Sequence, residues 1–580
     1  MSPTSLRLLK AVCISGAASL VLGACNTGST PTTTAQTLRF PLLGDFATLD
    51  PGIADAETDT EINQNMFNGL VRFDNNLNIV PDIASAMPVV STDGLSYTFT
   101  LRHDVTFSNG DKVTSKDFLY SWNRAAALQI SSYSSTFSPV VGYDKVSANK
   151  VGGNALEALL EAKDPAVWLS GLSAPDDYTV KVQLSHPAGW WLSALSVEGA
   201  TGMVVDQNEV KKNFDNWWSD PATAIGTGAY KMTSRVPKAT LDFAAVPNWW
   251  GSPKPQVTTI HIDIIPDAST AIAKYEQGGY DLYGFGGYSG APVADVLRIQ
   301  ATANEKDQLL IHAKTRTTWI DFNMVHAGKR TATGPFLLSG GKAAHDLRLA
   351  FALAIDKVQL ASIACKNILC QPATGGLIAK GLIGYMGDGM DPLGKFDPVM
   401  AKQLLKSADP TGQLTQGMTY YYDSDNNPLF ITSAPVIQEM WQTNLGVHVA
   451  IKAETHAQLI PDRQAGKLVL VRGGWQADYN NPQDWFDGSY GKLAGCPVSC
   501  NSGSGYDTPA FDALVAKADS EPLDQATADY AKLNQMLIDD VVYIPLYYHA
   551  GTFLIKPYVK GAGTNNFFDY WWNQYSVGAH

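Results

Sequence analysis

Leu95-Ser96-Tyr97-Thr98-Phe99-Thr100-Leu101-Arg102 alternates apolar and polar side chains without a break. Successive side chains of a strand point to opposite faces, so Leu95, Tyr97, Phe99 and Leu101 share one face. The stretch predicts a half-buried strand. A turn follows at Ser108-Asn109-Gly110-Asp111. Then Thr114-Ser115-Lys116-Asp117 has the spacing of a capping box, in which an acid at the fourth place bonds back to the cap amide. The helix it opens runs through Phe118, Tyr120, Trp122 and Ala125.

Outward from this unit, strands are expected at Thr179–Leu184, Thr259–Ile264, Val447–Ala453 and Leu468–Arg472. Helices fall between them. Asp346 to Ala361 places Leu347, Phe351, Ala354, Ile355 and Val358 on one face at helical spacing. Asp397-Pro398 is a cap followed by proline at the first helical position, opening a helix to Ala408. Gln525 to Asp540 carries Ala526, Tyr530, Leu533 and Leu537 as one stripe. Strands interleaved with helices over this length argue for an α/β architecture in more than one lobe. The Ala- and Gly-rich stretch from Lys145 to Leu172 reads as an insertion or an irregular helix pair.

The N-terminus has the pattern of a processing signal. Arg7 and Lys10 precede an apolar run, Ala11 to Leu22, that is shorter than the about 20 residues a membrane span needs. The run ends in Leu22-Gly23-Ala24-Cys25, which resembles the lipobox of bacterial lipoproteins. Cleavage is then expected after residue 24, with Cys25 acylated. The Thr-, Ser-, Gly- and Pro-rich residues that follow, to position 37, have almost nothing to bury and should form a flexible tether. Losing Arg7 and Lys10 moves the formal charge from −13 to −15, so the mature surface is a poor partner for nucleic acid. The remaining cysteines stand as Cys365/Cys370 and Cys496/Cys500. In an exported chain two close pairs read best as local disulfides, although three connectivities are possible and a metal site competes.

No arrangement for covalent or metal chemistry emerges. There is no G-x-S-x-G elbow, no H-E-x-x-H and no phosphate loop, and Gly340-Gly341-Lys342 lacks the upstream glycine. The ten histidines are scattered. Neither an enzyme nor a cofactor is expected, and no metal site. Aromatic pairs recur instead at Trp190-Trp191, Trp217-Trp218, Trp249-Trp250 and Trp571-Trp572, which suit a ligand pocket or a large core.

Several segments together resemble the family 5 extracellular solute-binding proteins of ABC transporters. They include Leu49-Asp50-Pro51, Asn68-Gly69-Leu70, Pro81-Asp82-Ile83-Ala84, the strand already quoted, and Ile225-Gly226-Thr227-Gly228-Ala229-Tyr230-Lys231. Asn248-Trp249-Trp250 matches loosely. Leu445-Gly446-Val447, Ile544-Pro545-Leu546 and Lys556-Pro557-Tyr558-Val559 continue the correspondence in order. The resemblance implies a two-lobed periplasmic-binding-protein type II-like fold with hinge strands. Its first lobe would hold residues 38–313, with an extra subdomain at about 61–177, and a return at 550–580. Residues 314–549 would form the second lobe. It further implies a monomer, tied to the membrane only through its lipid, on the periplasmic or outer face of the cell membrane. Such a receptor hands small peptides to a permease driven by ATPase subunits. Relatives take sugars, metal chelates or opines, and a peptide sensor is a further alternative.

Arg472-Gly473-Gly474-Trp475-Gln476-Ala477-Asp478-Tyr479 closely resembles the oligopeptide receptors' Arg-x-Gly-Trp-x-Ala-Asp-Tyr. In those receptors the aspartate binds the peptide's α-ammonium, and the arginine meets a ligand carboxylate at certain lengths. The chemistry is reasonable by itself. A peptide's ends carry fixed opposite charges while its side chains vary, so a sequence-tolerant receptor should hold the ends. Asp478 would supply the anion, Arg472 a planar fork for carboxylate, and Trp475 a wall. Gly473 and Gly474 would let a ligand backbone approach. Tyr479 completes the expected set. Without the resemblance, Asp478-Tyr479-Asn480-Asn481-Pro482 reads as a turn.

Overall fold

The alternating stretch forms a strand at Ser96–Thr100, with Tyr97, Phe99 and Leu101 buried. It pairs antiparallel with Thr179–Gln183 in a four-stranded sheet completed by Val89–Val90 and Leu172–Asp176. The helix behind the capping box is Ser115–Leu128. The Asp117 carboxylate accepts the Thr114 N–H at 2.7 Å and the Thr114 hydroxyl at 2.8 Å. Asp117→Ala should therefore lower stability by about 1 kcal/mol, read from the urea midpoint at unchanged slope. The computed structural model describes residues 36–285, 291–326, 330, 332–425, 427–492, 494–496, 502–563 and 571–580. The signal, the acylation site Cys25, all but the last two tether residues, and Cys500 lie outside these.

A second four-stranded sheet sets Thr37–Leu42 parallel to Thr259–Ile264, which continues antiparallel to Thr240–Ala245 and then Tyr230–Val236. The largest sheet has seven strands and is mixed. At its centre the long strands Leu309–Phe322 and Tyr543–Ile555 run antiparallel, and Leu470–Gln476 lies on the other side of the first of them. Beyond it Thr419–Asp423 and Ala450–Glu454 add parallel partners. The expected strand at Leu468–Arg472 thus extends through both glycines to Gln476.

Apolar side chains collect in two large cores. One draws on Leu38 to Phe285 and again on Phe553 to Val577. The other runs from Trp319 to Tyr548. The two long strands carry the chain between them. Leu310 and Phe553 pack in the first core, and Trp319, Ile320, Ile544 and Leu546 in the second. Their pairing register shifts between Ala313 and Thr317.

The single helix expected over Asp346–Ala361 is two. Gly341–Leu353 ends, and Lys357–Ala364 begins with Asp356 accepting the N–H groups of Val358 and Gln359 at 3.0 Å. A carboxylate that satisfies two unbonded donors opens a new helix where apolar spacing alone would continue the old one. The other capped helix forms as expected at Pro398–Ala408, with Asp397 accepting from Met400. Cys365 and Cys370 are joined by a disulfide. The paired tryptophans are chiefly core residues: Trp191 and Trp217 are wholly buried, and Trp218 and Trp249 nearly so.

Candidate functional site

Strand Leu470–Gln476 brings the Arg472–Asp478 segment to the wall of a cleft of about 450 Å³. Ser132, from the side of the first core, faces it, while Arg316 and Trp319 contribute from the long strand Leu309–Phe322. Helix His456–Gln464 adds His456 and Arg463. Asp478 stands two residues past the end of the strand, in the bend that the local sequence indicates. Asn481 closes that turn by capping helix Pro482–Ser489, its Oδ1 accepting the Gln483 N–H at 3.0 Å.

Asp478 has no salt-bridge partner among the described residues, and its Oδ1 accepts the Tyr133 hydroxyl at 3.3 Å. Burial pushes its carboxyl up to about 7; the Tyr133 hydrogen bond pulls it down and the charge of Asp55 raises it. Asp484, behind it, accepts the Asp478 N–H at 3.0 Å and the Trp475 indole N–H at 3.2 Å. Burial and then the Asp478 charge push Asp484 well above the usual carboxylate range. Burial likewise raises Asp487, and raises Asp519, its hydrogen-bonded neighbour, to about 7. A row of carboxyl groups therefore ends at the cleft in Asp478, poised for a cation.

Arg472 lines the cleft but already has its carboxylate. Its Nε donates to Asp423 Oδ2 at 2.6 Å, both side chains are buried, and the guanidinium lies 4.5 Å from the Phe430 ring centre. Asp423 also meets His456 Nδ1 at 2.5 Å. The guanidinium the sequence reading passed over is Arg463. It is more than nine-tenths buried, faces the cleft, and has no hydrogen-bond or ion-pair partner among the described residues. Burial, followed by the charge of Arg472, lowers it to about 10. The charges of Asp321 and Asp423 act on it in the opposite sense, but its buried Nε donor has no partner among the described residues, and an anionic group in the cleft could satisfy it.

The remaining expected residues divide. Trp475 is a cleft wall, held by Asp484 and lying across Gly488. Gly474 lines the cleft. Gly473 does not. It is buried beneath Trp319, whose Nε1 would stand 2.3 Å from a Cβ there, so its small size serves the sheet. Tyr479 also points away, its hydroxyl donating to Gln483 and its ring stacking on Trp190. Cys496 is described without Cys500, so that expected pair falls outside the described residues.

Two cores joined by long crossing strands, with a charged cleft lined from both sides, define a two-lobed solute-binding protein. The family model described as bacterial extracellular solute-binding proteins, family 5 Middle, matches residues 78–495, and the chain belongs to that family. It is 26% identical over 531 residues to the periplasmic murein peptide-binding protein MppA of Escherichia coli (strain K12), covering 90% of this chain and 89% of that one. With the periplasmic oligopeptide-binding protein OppA of the same organism it shares 25% over 520 residues, or 88% and 87% of the two chains. The unliganded open form of MppA superposes with a TM-score of 0.75 at 24% identity, over 94% of this chain and 98% of that one. Among the described residues no helix is long and apolar enough to cross a membrane.

Proposed function

We propose that this chain captures short peptides between its two lobes as the extracytoplasmic receptor of an ABC importer, and presents them to a membrane permease driven by ATPase subunits. The lobes are residues 38–313 with the return 550–580, and 314–549. Cys25 carries the lipid that holds the monomer at the membrane. The observation that carries the reading is a pair of charged groups in one cleft without direct ion-pair partners among the described residues. Asp478 offers a carboxylate with no cation in contact, and Arg463 a guanidinium that Asp321 and Asp423 reach only through their field. A peptide's α-ammonium and a carboxylate complement them, while a neutral sugar satisfies neither. The relatives named for oligopeptides and murein peptides bind ligands of this kind. No catalytic step enters the mechanism. Binding energy is spent on closing the lobes, with the register shift at Ala313–Thr317 as the place where the crossing strands bend.

Native mass spectrometry of the mature protein, followed by denaturation, tests this first. A set of short co-purified peptides is the expected release; a single sugar or metal chelate overturns the specificity. Arg463→Met then weakens a free-acid tripeptide roughly tenfold and its C-terminal amide hardly at all, measured by calorimetry. Equal losses for both would remove Arg463 from the ligand's carboxylate.

A further inference from the structure

The segment from Ala188 to Ser193 leaves the first core and meets the second at three points. The Gly189 N–H donates to the Asp519 carbonyl oxygen at 2.8 Å. The Trp190 ring lies 12° from parallel to Tyr479, with centroids 6.5 Å apart. The Asn481 side-chain amide donates to the Ser193 hydroxyl at 3.5 Å. Ala188 and Trp191 belong to the first core, and Ala518, next to Asp519, to the second. Neither Gly189, Trp190 nor Ser193 lines the cleft.

The approach is closest at Gly189. A Cβ there would stand 1.7 Å from the Glu521 carbonyl oxygen, 2.5 Å from its carbon and 3.1 Å from the Pro522 nitrogen. All three are backbone atoms of the turn between helices Pro509–Ser520 and Leu523–Asp539, so no side-chain rotation relieves the clash. Gly189 has no left-handed φ, so its own backbone conformation does not demand glycine. The absence of a side chain answers only to the contact between the cores.

We propose that Ala188–Ser193 is a latch that holds the two lobes together over a captured ligand, with Gly189 as its positioning residue. This rests on the capture reading above. A residue that must be small only when the lobes touch can be enlarged without harm to either lobe. The cost then falls on the closed state, and the apparent affinity drops by the closed fraction lost. Because the latch stands outside the cleft, the loss appears in ligand escape and not in encounter.

The test compares the mature wild type with Gly189→Ala and Trp190→Leu, using tri-alanine as probe, by stopped-flow kinetics and small-angle scattering. Gly189→Ala should dissociate about tenfold faster or more, with an association rate within about twofold of wild type. Its radius of gyration should fail to shrink with ligand as the wild type's does. Trp190→Leu should move the same way by less, which keeps the latch testable if the alanine variant folds poorly. Unchanged dissociation with equal compaction overturns the latch, as does a fall in ligand-free melting temperature that accounts for the whole binding loss. If the wild type does not bind tri-alanine, the peptide reading is what has failed for this probe. The latch is then decided with the molecules released from the wild type in native mass spectrometry as probe, where it requires faster release from Gly189→Ala; equal release overturns it.

Discussion

Replacing Asp478 with asparagine weakens capture of a free-amine tripeptide by about 2–5 kcal/mol and leaves binding of its N-acetylated form unchanged. The carboxylate has no cation partner among the described residues, so a bound α-ammonium would be the charge it pairs with. Asparagine keeps the shape and the acceptor for the Tyr133 hydroxyl but removes the ion. The fold should not suffer. Burial already drives Asp478 toward its neutral form, and Asp484 behind it is pushed in the same direction. Calorimetry at pH 7.5 on both peptides, with ligand-free melting as control, checks the whole statement. Equal binding of the free-amine peptide by the variant and the wild type would move the ammonium site elsewhere.

Affinity for the same peptide falls by about tenfold for each pH unit below 7, and so by about a hundredfold at pH 5. Burial, and to a smaller extent the charge of Asp55, push the Asp478 carboxyl up to about 7 against the hydrogen bond from Tyr133, which lowers it. Below that pH a proton must leave before the ammonium docks. The upper limit is the peptide's own amine, which loses its proton near pH 8. Near pH 6 each binding event should therefore release close to one proton, visible in calorimetry as heats that differ between buffers of different ionisation enthalpy. Stability runs the opposite way. A carboxyl raised from 3.8 to about 7 contributes stability that is fully present below 3.8 and is lost as pH rises through 7. Asp519, also near 7, adds to this. The ligand-induced rise in melting temperature is consequently larger at pH 7.5 than at pH 5.5. A flat affinity across this range would remove the proton from the binding step.

What could be read without coordinates depended on how local the signal was. The strand at Ser96–Thr100 and the helix at Ser115–Leu128 are written in alternation and in a four-residue cap, and both form. The break at Ala354–Asp356 was hidden because the apolar spacing crosses it; one carboxylate decides the matter. Thr419–Asp423 carries three consecutive tyrosines and no alternation, so the strand that places Asp423 against Arg472 was not foreseen. Without that strand Arg472 looked free for ligand. Arg463 resembles any arginine on the polar side of a short helix, and only the packing around it buries its Nε without a hydrogen-bond partner among the described residues. Asp478 was recognisable through its neighbours' resemblance to a family pattern, since its local sequence describes a turn, which it also is. Gly473 and Gly474 look alike in sequence, yet one lies under Trp319 and the other borders the cleft.

The first core is closed by a residue from the far end of the chain. The Trp572 ring lies 6.0 Å from Phe40, 5.5 Å from Tyr230 and 5.2 Å from Phe243, and its backbone N–H donates to Asn65 at 2.9 Å. During synthesis Phe40 therefore waits through more than five hundred further residues for its partner. The second core, whose side chains lie between Trp319 and Tyr548, is completely synthesised before that partner is made. The half of the molecule that begins first is thus the half that finishes last, and until then the aromatic core face that Trp572 covers stays open to a chaperone or a translocation channel.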